Sequence, residues 1–131
     1  MTNLLLVGLG GFFGAVARYV LSNQISVRFT AFTGTNLPWG TAFVNVTGSL
    51  LLAIFLSWLS RQIETPVQLK LLLGTGFFGA YTTFSTYANE SIDLLREDWR
   101  MGVSYIVLTN LLCLIGVMMG VWLSEMFWRQ T

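Results

Sequence analysis

From Gly74 the chain reads Gly74-Thr75-Gly76-Phe77-Phe78-Gly79-Ala80-Tyr81-Thr82-Thr83-Phe84-Ser85-Thr86-Tyr87, a run of glycines, hydroxyls and aromatic rings with no charge. It supplies hydrogen-bond donors and ring surfaces in an otherwise apolar stretch. Glycines loosen a helix, and Ser and Thr hydroxyls re-satisfy the backbone groups so freed, so the run points to a helix broken or unwound at membrane depth. Irregular backbone in that position lines a passage. Two asparagines add to the inventory. Asn45 follows Thr41 by four residues, so the two share a helix face, and Asn110 stands beside Thr109. Each asparagine alone reads either as a bond between helices or as pathway lining. Together with the hydroxyls, including those of Thr83 and Ser85, they suit a small ion whose water shell must be replaced by hydrogen bonds, because uncompensated dehydration is costly.

Phe84 and Tyr87 are three residues apart and neighbours on one helical face. An aromatic ring has a negative face and a positive edge, so two rings turned edge-on can solvate an anion; the plainer reading is packing or lipid contact. Arg18 is the one formal charge well inside a span, about 21 Å along the helix from Leu4 at 1.5 Å per residue. Either it snorkels to the headgroups, or it borders a wet vestibule and concentrates anions there. Glu90 and Asp93 are expected to face water at the rim of the third segment.

The elements that must position these groups follow from composition. Of 131 residues 54% are hydrophobic and 10% charged, with a mean hydropathy of +0.67, against a globular norm of about 25% charged. The chain is therefore expected to be an all-α integral membrane protein. Lys+Arg 7 against Asp+Glu 6 gives no excess charge for nucleic acid. With no His and the single Cys113 in an apolar stretch, zinc, haem, a disulfide and a Cys/His nucleophile are excluded, and no enzyme is expected. Met1-Thr2-Asn3 provides no basic region, so no cleavable signal peptide is expected.

Four segments match the roughly 20 residues that a helix needs to cross a bilayer. They run from Leu4 to Leu21, Gly40 to Leu59, Leu71 to Ala88 with an amphipathic continuation to Leu95 and a break near 79–83, and Gly102 to Ser124. Polar connections are expected over 22–39, 60–70 and 96–100, and one membrane domain fills 1–131. Gly10/Gly14 and Gly116/Gly120 have the small-xxx-small spacing of close helix packing. Gly11-Phe12-Phe13-Gly14-Ala15 recurs as Gly76-Phe77-Phe78-Gly79-Ala80, and Asn45 falls on Asn110 at the same offset, the pattern a duplicated helix pair would leave.

An even number of spans puts Arg61, Lys70 and Arg129 on one side and Arg18, Arg28, Arg96 and Arg100 on the other. Three against four nearly cancels the positive-inside bias. Two oppositely inserted copies in an antiparallel dimer resolve both this ambiguity and the small space that four helices enclose.

The blocks Gly10-Gly11-Phe12-Phe13-Gly14-Ala15-Val16-Ala17-Arg18-Tyr19, Trp39-Gly40-Thr41-Ala42-Phe43-Val44-Asn45-Val46-Thr47-Gly48 and Gly76 through Tyr87 resemble the Fluc (CrcB-type) fluoride channels of bacteria in order and spacing over nearly the whole chain. The resemblance implies a dual-topology homodimer in the bacterial inner membrane with two pores that passively export fluoride. It implies that Asn45 is a pore donor, that Phe84 and Tyr87 form an aromatic box, that Asn110 belongs to a polar track and that Arg18 borders a vestibule. It also implies a structural sodium ion at the dimer centre, held by the backbone carbonyls of Gly79 and Thr82. This sequence differs from the pattern at Ala80, where a glycine is usual, and at Tyr87, where a phenylalanine is usual. The Tyr87 hydroxyl is expected to donate to the ion or narrow the path, with conduction surviving. The rival readings are a small multidrug-type antiparallel exporter, which needs a carboxylate inside the membrane that the four apolar cores lack, and a membrane scaffold that transports nothing.

Overall fold

The computed structural model describes residues 1–64 and 66–128, so Arg129 of the charge count lies outside the described residues. The described chain is entirely helical and turn. Helix α1 spans Thr2–Thr33, α2 Trp39–Leu59, α3 runs over 67–81, α4 is Phe84–Glu97 and α5 Trp99–Trp128. Three of them, α1, α2 and α5, are long and apolar enough to cross a membrane. At 32 and 30 residues, α1 and α5 extend about 45 Å, well beyond a hydrocarbon core of about 30 Å.

The first connection is shorter than the composition suggested. Ser22, Asn23 and Gln24 are polar, yet nothing between them and Thr33 breaks a helix, and α1 continues until Gly34 closes it in a left-handed cap (φ 66°) with its N–H on Thr30 O at 2.9 Å. Pro38 then bars helix from the residue before it, and α2 starts at Trp39. The last turn is also tighter than expected. Asp98 alone separates α4 from α5, its carboxylate accepting the Arg100 N–H at 2.8 Å as an N-cap.

Within α3, Lys70–Phe78 is wound as a π-helix, with the Gly79 N–H reaching back to Gly74 O. Such winding is rare and concentrates at functional sites. Glycines bring the helices together. A Cβ on Gly10 or Gly14 would overlap the backbone of Leu72 or Phe77 in α3, and one on Gly120 would lie 2.6 Å from Leu50 O in α2. A Cβ on Gly76 would lie 3.0 Å from Gly10 Cα and 3.2 Å from Gly11 N. The two Gly-Phe-Phe-Gly-Ala motifs therefore pack on one another, one α-wound and one entering from the π-turn, so their shared glycines serve a common close approach.

Side chains on the outer surface of α1 and α5 are apolar, among them Leu4, Phe12, Leu114 and Met118. Buried side chains include Val44, Leu59, Tyr81, Tyr87, Leu94 and Tyr105, a thin core of the kind left when lipid, not water, is the solvent.

Candidate functional site

Regular winding stops after Tyr81. Thr82 (φ −84°, ψ 157°) and Thr83 (φ −146°, ψ 113°) are extended, and α4 begins afresh at Phe84. Thr83 caps it: its Oγ1 accepts the Thr86 N–H at 3.3 Å and donates to Thr86 Oγ1 at 2.9 Å. From α2, Asn45 closes on the same residue from both sides, Nδ2 donating to Thr83 O at 3.0 Å and Oδ1 accepting the Thr83 N–H at 2.8 Å.

These bonds redirect the backbone. In a continuous helix the Thr83 N–H would go to Gly79 O and the Thr86 N–H to Thr82 O; here Asn45 and the Thr83 hydroxyl take them. The carbonyls of Gly79 and Thr82 thereby lose their helical donors. Ala80 O loses its own to the new start at Phe84, and Arg18 of α1 replaces it, Nε donating at 3.0 Å. Arg18 thus does not stand free but is tied to the interruption. It places a cation at the carbonyl end of α3, where the helix dipole is negative.

Beyond the cap, Tyr87 is 7% exposed and bound to α5: its hydroxyl donates to Ile106 O at 3.2 Å and accepts from Asn110 Nδ2 at 2.5 Å. Asn110 Nδ2 also donates to Ile106 O at 2.7 Å. The Tyr87 hydroxyl expected to reach the ion is therefore engaged inside the chain. Phe84 is 78% exposed, its ring centroid 5.9 Å from that of Tyr87 at an interplanar angle of 52°.

A half-open cavity of about 230 Å³ gathers most of these groups. Asn45, Ser49, Thr82, Thr83, Phe84, Tyr87, Thr109, Asn110 and Cys113 line it, with Leu52. Ser85, Arg18 and Gly79 lie outside that lining. The exposed Ser85 accepts Asn89 Nδ2 on its carbonyl at 3.0 Å. The lining carries amide and hydroxyl donors, ring surface and no formal charge, so it can dehydrate a small ion without binding it by a fixed countercharge.

Glu90 faces water at the rim only in part, opening on a polar cleft that it shares with Asn36, Asp93 and Glu97. It turns inward and is half-buried, accepting Thr41 Oγ1 on Oε1 at 2.8 Å and the Tyr105 hydroxyl on Oε2 at 3.2 Å. Asp93 does remain exposed, 3.8 Å from Arg96. Glu90 lies on the amphipathic continuation of the third segment, beyond the apolar stretches, so those stretches still hold no carboxylate. Sequence periodicity placed Thr41 on the Asn45 face but could not name Glu90 as its partner, or Tyr105 as the second donor to Glu90, since both arrive from other helices.

A multi-pass helical membrane protein with an uncharged polar groove beside an interrupted helix is the class these features define. The chain belongs to the CrcB-like protein, Camphor Resistance (CrcB) family, whose model matches residues 5–121. It is 44% identical over 114 residues to a protein named fluoride-specific ion channel FluC from Koribacter versatilis, covering 86% of each chain. A protein of the same name from Phocaeicola vulgatus is 41% identical over 126 residues, covering 95% of this chain and 100% of the relative. One from Shewanella sp. strain W3-18-1 is 43% identical over 121 residues, 92% of this chain and 94% of the relative.

Proposed function

We propose that the chain is a channel, not an enzyme, that lets fluoride leave the bacterial cytoplasm down its gradient through the inner membrane. The observation that carries this reading is the lining of the cavity: Asn45, Thr83, Phe84 and Tyr87 converge there without a formal charge, in a chain whose relatives bear the name of fluoride channels. Fluoride binds its water tightly, so passage requires donors that replace water while holding the ion weakly enough to release it. Asn45 has two N–H groups and Thr83 takes one, which leaves the second for the groove.

The working unit is an antiparallel homodimer of dual topology, whose two pores are each lined by residues from both copies, with the third span broken at Thr82 and Thr83. Supporting it are the near-balanced positive charge and the groove left open on a single chain, with Phe84 and Asn110 exposed at its edge. A structural sodium ion between the copies fits the same place. Hard cations take oxygen ligands, and the Gly79 and Thr82 carbonyls are the ones whose helical N–H partners are bound elsewhere. That ion would neutralise carbonyl dipoles at the centre of the dimer.

Purified protein in liposomes loaded with fluoride is expected to release it rapidly to a fluoride electrode, to retain chloride, and to need no proton gradient. Retention of fluoride, or release only when a proton gradient is imposed, overturns the reading.

A further inference from the structure

The Tyr87 hydroxyl, the Asn110 amide and the Ile106 carbonyl form a closed set of bonds between α4 and α5. Both bonds from Asn110 leave from Nδ2, one to the Tyr87 oxygen at 2.5 Å and one to Ile106 O at 2.7 Å. An amide nitrogen has two N–H groups, so neither remains for a ligand. The amide cannot be turned over without cost, because Ile106 offers only a carbonyl and Oδ1 would then face it. The proton of the Tyr87 hydroxyl is itself committed to Ile106 O. Along this side of the cavity, Tyr87 therefore shows its ring and Asn110 shows at most an acceptor oxygen, which repels an anion.

We propose that Asn110 is a positioning residue: it holds the Tyr87 hydroxyl against α5 and out of the ion path, and it does not itself ligate the ion. The inference rests on the fluoride reading and deepens it. Released from Asn110, a tyrosine hydroxyl beside the cavity can rotate toward fluoride, donate to it and slow its departure. A phenylalanine at the same place has nothing to release.

The test is a four-way comparison of fluoride efflux from liposomes: wild type, Asn110→Leu, Tyr87→Phe and the double variant. Leucine removes both N–H groups and suits an apolar helix, and Asn110→Ala serves as the second substitution should Asn110→Leu not yield folded protein. Each Asn110 variant is read against its own background, wild type or Tyr87→Phe. The single substitution at Asn110 is expected to slow efflux about fivefold, the factor one net hydrogen bond commands, and Tyr87→Phe is expected to abolish that slowing. A purely structural defect at Asn110 would persist in the Tyr87→Phe background. Equal slowing in both backgrounds, or none in either, overturns the inference while leaving the channel reading intact; fluoride retained by the wild type overturns both.

Discussion

Asn45 does with one amide what a second strand of backbone would do, giving an N–H to Thr83 O and an oxygen to Thr83 N–H. Its replacement has two consequences that differ in kind. Asn45→Ala leaves the Thr83 N–H and carbonyl unpaired, a cost of about 1–3 kcal/mol for each buried group that finds no other partner, and it removes the remaining donor from the groove. Efflux is expected to fall at least about tenfold, the rate equivalent of 1.4 kcal/mol, with a lower melting midpoint for the protein. Wild-type flux in Asn45→Ala liposomes would remove Asn45 from the pathway. That Asn45 and Thr41 share a face was legible from their spacing of four; that this face meets Thr83 and Glu90 was not, because spacing within one helix carries no information about its neighbours.

At the scale of elements, the stretch 74–87 announced itself by composition, but the place where winding stops is set by particular bonds. Threonine is favoured at helix starts, and Thr83 does cap α4. The π-winding of Lys70–Phe78 left no comparable mark, since a wide turn needs only glycines and room. Helix α1 runs past its polar residues because Ser22, Asn23 and Gln24 do not break a helix, and the breaker, Gly34, lies a dozen residues on. Arg18 ties two of these elements together. Arg18→Ala leaves Ala80 O without its donor and the end of α3 without its cation, so the break is expected to lose definition: a lower melting midpoint in detergent and slower efflux, with Arg18→Lys recovering part of both. An Arg18→Ala protein that melts and conducts like the wild type would show that the break holds without it.

For the whole molecule, the deciding quantity is the balance of positive charge across the bilayer. On the four-span arrangement proposed above, Arg61, Lys70 and Arg129 on one side and Arg18, Arg28, Arg96 and Arg100 on the other would give insertion little to act on, with Arg18 held within the protein at Ala80 O and so contributing less at the surface than its count suggests. Without it three stand against three. Orientation should then respond to small changes. Two lysines added to the 60–66 connection are expected to fix one orientation, and two added to the 34–38 connection the other. If the channel requires one copy of each, either variant expressed alone will insert uniformly and pass no fluoride, and co-expression of the two will restore efflux. Orientation is read from tags at the C-terminus and flux from a fluoride electrode on vesicles. A variant that inserts uniformly, pairs and still conducts alone would replace the antiparallel pair with a parallel one, and the Gly79 and Thr82 carbonyls would then no longer be related by an axis in the membrane plane.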